Sequence, residues 1–454
     1  MIVQKFGGSS VGTAEGIGRV VDLVRRQLDR RPLVVVSAMA KTTRHLLAAA
    51  EAAAAGRLDV ARDGAARLRA FHEREAGGVV QGGRLDAVFA ARFAALDAAL
   101  IAIAGAGALD PRAADLVASF GELLSSAILA EALDQAGIDA ACLDCRQVLV
   151  TDDLHTRANP DYAATAERLG AAVPPLLAAG RVPVVGGYVG ATAAGVTTTL
   201  GYEGSDFSAA IFGAALGAEE VQLWTDVDGI LTADPALVPR ARPVAALTFA
   251  EALELACSGS KKPHPGTLGP ASRRNVPIRV LNSRHPEAPG TRIGARPEGA
   301  APAVRSIARR RHDHLLYAMP ARCAEPATAS INGFFPAVYA RCERLRPALM
   351  VLGATEAGVS LALDRAGRLA EVRALFADAE AEVGAVAGRT VVSIISEDLA
   401  TSPELAAHVL ATAAEWEPRL VLAGTAAPCV RFLVGDRDAS AAVAAIHERL
   451  FPDA

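Results

Sequence analysis

Aromatic residues are scarce, 4% of the chain with two tryptophans and five tyrosines, so few ring faces are available on which nucleobases could stack. No charge sign dominates either. The 46 basic and 50 acidic residues leave a formal net charge of −4 and a pI near 6.2, without the basic stripe that a phosphate backbone demands. Nucleic acid is therefore not an expected partner, and small molecules are. Cysteine is sparse, six in all, and nothing signal-like precedes the first strand, so the thiols are expected to be reduced and the protein cytoplasmic. Cys142 and Cys145 form a C-x-x-C, but no second pair or nearby histidine completes a zinc set, and no dedicated metal site is expected. Long apolar runs are also interrupted: the alanine-rich stretch from Ala90 to Ala108 is broken by Arg92 and Asp97. That pattern belongs to amphipathic helices, not to a membrane span.

What is present is a chain of 454 residues, long enough for two or three domains at the usual size of about 150 residues each. Apolar runs of strand length recur between helical stretches: Ile2 to Phe6, Leu33 to Ser37, Ile138 to Leu143, Val182 to Gly186, Val221 to Trp224 and Ile278 to Leu281. Continuously apolar strands alternating with amphipathic helices imply an α/β domain with a largely parallel sheet sandwiched by helices. A stretch rich in Pro, Gly and Ala follows, placing the first domain at 1–297 and a linker at 298–303. Shorter strand and helix units alternate from 304 to 454 and read as two βαββαβ-like α+β units. The first covers about 314–380 and the second about 388–454, with a strand near 304–312 added to the second. Each is too small to be very stable alone, so the two are expected to pack side by side.

Five stretches in the first domain carry chemistry. Lys5-Phe-Gly-Gly-Ser9 joins a strand to a helix beginning near Thr13; glycines without Cβ let backbone N–H groups crowd an anion, and a lysine adds a point charge. Such junctions also serve merely as tight turns. Ser37-Ala-Met-Ala-Lys-Thr-Thr43 follows a strand, where α/β proteins bind ligands. Gly121-Glu-Leu-Leu-Ser-Ser126 reads as the opening of a helix, where Glu122 would favour the dipole even without a ligand. Gly186-Gly-Tyr-Val-Gly190 leading to Thr197-Thr-Thr-Leu-Gly-Tyr-Glu-Gly-Ser-Asp206 is more polar and glycine-rich than a loop requires, although Asp206 could be only an N-terminal cap. Trp224-Thr-Asp-Val-Asp-Gly-Ile-Leu-Thr-Ala-Asp-Pro235 has three acids, of which Asp228 and Asp234 read as turn formers.

In this order, with Lys261-Lys-Pro-His-Pro265 after them, the segments resemble the aspartokinases of the amino-acid kinase family. The resemblance implies transfer of the γ-phosphoryl group of MgATP to the side-chain carboxylate of L-aspartate, the entry to lysine, threonine and methionine synthesis. It implies catalysis by Lys5 and Asp206, phosphate and nucleotide binding by Lys5, Gly7, Gly8, Ser9, Thr225, Asp226 and Lys261, and amino-acid binding by Thr43, Glu122, Ser205 and position 202. Mg²⁺ is expected on ATP oxygens and water, with no metal-binding side chains. The second half resembles paired ACT domains through Gly333 to Tyr339 and Ala354 to Asp364, which implies a homodimer or a dimer of dimers.

Three departures from the family pattern stand out. Tyr202 replaces an arginine that clamps a substrate carboxylate, with Glu203 beside it; Lys41 and Arg44 are the candidate substitutes. Leu231 and Ala236 replace a nucleotide-side tyrosine and arginine, which implies a higher ATP requirement. Leu349-Met350 and Ile331 replace the Val-Asp pair and the small hydroxyl residue of lysine-sensitive members, so lysine inhibition is expected to be weak or absent. Two alternatives remain: a kinase of this fold acting on another amino-acid carboxylate, or a weakly active regulatory subunit.

Overall fold

The computed structural model describes residues 1–201, 203–260, 263–296, 303–320, 338–342, 349–355, 358–364, 368–377, 381–418, 421–423 and 428–452. Tyr202, Lys261, Ile331 and the Gly333 to Pro336 motif residues lie outside them. The chain divides into two compact units: Met1–Ile230, Pro243–Ala252 and Lys261–Gly299 form the first, and Leu231–Arg242, Leu253–Ser260 and Ala300–Ala454 the second.

The first unit contains β1 (Ile2–Phe6), β2 (Pro32–Val36), β3 (Ala140–Leu143), β4 (Val150–Thr151), β5 (Val182–Gly186), β6 (Val189–Thr192), β7 (Thr197–Thr199), β8 (Glu220–Thr225), β9 (Ala246–Thr248), β10 (Ile278–Asn282) and β11 (Thr291–Gly294). Eight of them make one sheet in the order β3-β5-β2-β1-β8-β10-β11-β9, parallel from β3 through β10. Strand succession runs outward from β1 in both directions, which makes the strand ends around β1 a topological switch point. Register aligns those ends: Phe6 lies opposite both Val36 and Trp224, and Val36 opposite Gly186. The turns after β1, β2, β5 and β8 therefore open at one level.

Helices cover both faces: α1 (Ala14–Arg25), α2 (Thr42–Ala54), α3 (Leu58–Gly77), α4 (Asp86–Ala106), α5 (Pro111–Gln135), α6 (Cys145–Val148), α7 (Tyr162–Ala178) and α8 (Gly204–Leu216). Two of these, α4 and α5, are long and apolar enough to cross a bilayer by length and composition. Their apolarity has another use here. Helix α5 is buried along most of its length, and α4 lays Phe89, Phe93, Leu96, Leu100 and Ile103 into the same core. Alternation along β1 sorts its side chains. Phe6 joins the core shared with α1 and α5, while Val3 faces α8, where Gly213 has no room for a Cβ beside Val221.

The second unit is built on one antiparallel sheet of order β13-β14-β12-β15-β17-β16. Its strands are β12 (Ser306–Pro320), β13 (Leu349–Thr355), β14 (Gly358–Leu363), β15 (Ala381–Ile395), β16 (Val421–Ala423) and β17 (Cys429–Gly435). The two 15-residue strands β12 and β15 pair along their whole length. Each is thereby shared by two half-sheets, with helices 369–377, 403–414 and 439–450 completing the α+β pattern.

Two stretches that the sequence places in the first domain group instead with the second unit: 231–242 and 253–260. The reason is burial. Ala233 and Val238 join the core of Phe432, Val443 and Ile446; Thr232 hydrogen-bonds His447 at 2.9 Å; and Glu254 pairs with Arg431.

Candidate active site

Lys5 is nearly inaccessible in the middle of the sheet, and its ammonium forms an ion pair with Asp206, both side chains being 5% exposed or less. Asp206 lies in the first turn of α8, but it is not the N-cap; that position belongs to Glu203. Removing both charges from water is costly unless each neutralises the other. Two motifs about two hundred residues apart in sequence thus meet at one buried pair.

Around them the turns pack with no spare volume. A Cβ on Gly8 would lie 2.6 Å from the Ala38 carbonyl oxygen, and one on Gly187 would lie 2.7 Å from Ser205 Cα. The Gly7 N–H donates to the Trp224 carbonyl at 3.2 Å and the Gly8 carbonyl accepts from the Ala40 N–H at 2.9 Å. These bonds fix the turn while the N–H groups of Gly8 and Ser9 donate to no acceptor among the described residues. Two such donors beside a lysine are groups of the kind that bind anions. A Gly8→Ala change is expected to spread the β1 and β2 turns, costing about 1–3 kcal/mol of stability and most of the activity; urea denaturation with an activity assay measures both.

Glu122 differs from expectation in one respect. Helix α5 starts at Pro111 behind the Asp110 cap, so Glu122 sits in mid-helix, where a dipole reading no longer applies. The start signal is the Asp-Pro pair, whereas Gly121 serves close packing: its Cβ would meet Ala38 Cβ at 2.7 Å. One carboxyl oxygen of Glu122 accepts the Ala38 N–H at 3.0 Å, and the other is buried without a hydrogen bond. Burial pushes this carboxyl up to about 8, against the opposing pull of the Ala38 N–H and the Lys5 charge.

A cavity of about 420 Å³ connects these groups; Lys5, Thr43, Glu122 and Ser205 line it together with Ser37, Thr156, Tyr188 and Glu203. Thr225 and Asp226 stand outside its lining, at the end of β8, where the Thr225 carbonyl accepts from Ser283. Asp234 accepts the Ala236 N–H two residues on, as a turn former does, whereas Asp228 accepts a hydrogen bond from the distant Asn282 side chain.

The family model for the amino acid kinase family matches residues 1–282. Lysine-sensitive aspartokinase 3 of Escherichia coli is 32% identical, over 99% of both chains. The chain belongs to the amino acid kinase family, among the aspartokinases. Aspartokinase 1, chloroplastic, of Arabidopsis thaliana is 33% identical over 99% of this chain and 80% of that protein. Among solved structures, E. coli aspartokinase III in complex with aspartate and ADP (R-state) superposes with a TM-score of 0.84 at 30% identity, covering 99% of this chain and 100% of that one.

Against the aspartokinase motifs, the sequence reading missed three residues of the cavity region. Asp115 is buried one helical stripe from Glu122, seven residues earlier, and accepts hydrogen bonds from Thr199 Oγ1, Thr156 N–H and His155. Spacing of seven on one helix was the available signal. Thr156 and Tyr188 both adopt positive φ, 69° and 62°, uncommon for residues bearing a Cβ. Burial raises the Tyr188 phenol to about 12, with a Thr199 hydrogen bond opposing it. Glu203, the N-cap of α8, also adopts a positive φ, 57°.

Proposed function

We infer that the protein transfers the γ-phosphoryl group of ATP to the side-chain carboxylate of L-aspartate, forming 4-phospho-L-aspartate and ADP. The observation that carries this is the buried Lys5–Asp206 pair opening on the cavity that also holds Glu122 and Thr43. An aspartate carboxylate oxygen attacks the γ-phosphorus as the bond to the ADP oxygen breaks, so no proton transfer or covalent protein intermediate is required. Catalysis is positional and electrostatic. Lys5 offsets charge on the moving phosphoryl group, the Gly8 and Ser9 N–H groups hold its oxygens, and Asp206 keeps the Lys5 ammonium aimed. Ser205 and Thr43 orient the amino acid, and Glu122 receives its ammonium. Thr225, Asp226 and Lys261 serve the nucleotide. Mg²⁺ arrives with ATP, held by phosphate oxygens and water.

Tyr202 cannot clamp the α-carboxylate as a guanidinium does. Arg157 takes that part in our reading: it follows the cavity-lining Thr156, and its backbone lies beside Gly201. Arg157→Ala is expected to raise the aspartate KM by roughly 10-fold or more, the value of a charge-assisted hydrogen bond, with less effect on kcat. Should Lys41→Ala or Arg44→Ala do this instead, the clamp lies on α2.

A cytoplasmic homodimer, weak or absent inhibition by lysine and a raised ATP requirement complete the reading, the last two from Met350 and from Leu231 and Ala236. Hydroxamate trapping with MgATP and L-aspartate, with and without lysine, tests it. Trapped product with aspartate supports the assignment; none with aspartate but product with another amino-acid carboxylate overturns it. Half-maximal inhibition by lysine below about millimolar, roughly 4 kcal/mol of binding, would contradict the loss of sensing.

A further inference from the structure

Helix α5 borders a second cavity, of about 440 Å³, from which the residues of the first are absent. Leu123, Ala127 and Ala130 line it from a stripe roughly a quarter turn round the helix from Glu122, at about 100° per residue. Leu85 and Val88 extend this aliphatic wall.

The polar part of the lining is unevenly paired. Arg92, half-buried, makes no ion pair or hydrogen bond at contact distance among the described residues; its charge reaches the lining carboxylate of Asp144, which is itself paired with Arg146. Glu131 and Asp134 share a single guanidinium, that of Arg84, at 3.2 and 2.7 Å, and the buried Oε2 of Glu131 accepts no hydrogen bond. Cys142 is exposed as a residue, although burial pushes its thiol up; the thiol lies within reach of the Arg92 and Glu131 charges and of the Ser126 hydroxyl. A cation without a contact partner, two carboxylates sharing one guanidinium and an aliphatic wall thus converge on one space. That combination suits a zwitterion with an apolar side chain.

We propose that this cavity is a second amino-acid site, taking a free amino acid with an aliphatic side chain. Its carboxylate docks on Arg92, its ammonium on Glu131, and its side chain on Leu85, Val88 and Leu123. Ser126 couples the site to catalysis: it lines the cavity and donates to the Glu122 carbonyl at 2.8 Å. The binding claim stands apart from the kinase reading, and only the coupling rests on it.

Alkylation of Cys142 by iodoacetamide in the full-length protein, followed by peptide mass spectrometry, tests the site. Leucine, isoleucine and valine are compared with isovalerate and isoamylamine, which lack one charge each. An amino acid at about ten times its Kd slows labelling roughly tenfold. We expect this from at least one of the three, not from the singly charged analogues, with loss in Arg92→Gln and in the cavity-filling Ala130→Phe, and retention in Lys5→Ala. No protection by any of the three overturns the site, as does equal protection in Arg92→Gln or by isovalerate alone. For the coupling, the protecting amino acid should shift the aspartate KM by about twofold or more in the wild type and not in Arg92→Gln; an unchanged KM with protection intact overturns the coupling.

Discussion

Replacing Lys5 with methionine is expected to lower kcat on the order of 10³-fold, the scale of losing a charged group aimed at the transition state. It should also destabilise the fold, because Asp206 is left buried beside an apolar side chain. Breaking such a pair by removing one partner costs about 3–5 kcal/mol. Two losses from one change invite the objection that the enzyme merely unfolds. The double variant Lys5→Met, Asp206→Asn answers it, since an amide tolerates the buried position better than an unpaired carboxylate. It should recover much of the stability in urea denaturation and none of the turnover, a non-additivity expected of groups in contact. Retention of kcat within about tenfold in stable Lys5→Met protein would reduce the pair to a packing device.

How much of this was legible beforehand depends on the kind of residue. Lys5, Asp206, Thr43 and Ser205 belong to local motifs whose turn chemistry is written in consecutive letters, and the fold brings them together. The parallel character of the sheet that holds β1, β2, β5 and β8 was likewise readable from apolar runs of strand length, though not their order. Asp115 was not, because its partners His155, Thr156 and Thr199 come from three later positions with no local signature. The placing of Glu122 failed for a related reason: Gly121 looked like a boundary, but the close approach of Ala38 is what excludes a Cβ there. The grouping of 231–242 and 253–260 with the second unit has no local signature: Ala233 and Val238 serve a core whose other members run from Val304 to Phe451, and Glu254 pairs with Arg431.

Glu122 carries the second large effect, and its sign follows from burial. Its carboxyl titrates near 8 in the folded protein against 4.5 for the ordinary group. The folded state therefore binds more protons than the unfolded one between those values, and stability falls as pH rises through that window. The contribution is fully present below 4.5, declines up to about 8 and is constant above. At about 1.4 kcal/mol per unit, the swing amounts to several kcal/mol. Glu122→Gln keeps an acceptor for the Ala38 N–H yet cannot ionise, so its Tm should fall less steeply across this window and exceed that of wild type at its upper end. Substrate binding should move oppositely. A protonated carboxyl is a poor host for the aspartate ammonium, so binding in the wild type drives proton release, and the aspartate KM should decrease by up to about tenfold per pH unit on approach to the titration point. In Glu122→Gln this dependence disappears, and KM rises by roughly 10- to 100-fold through loss of a charge-assisted contact. Thermal melts and initial rates across one pH series decide both halves. A flat wild-type KM profile, or an unaltered KM in a more stable Glu122→Gln protein, would mean that the ammonium docks elsewhere and that this buried acid only burdens the fold.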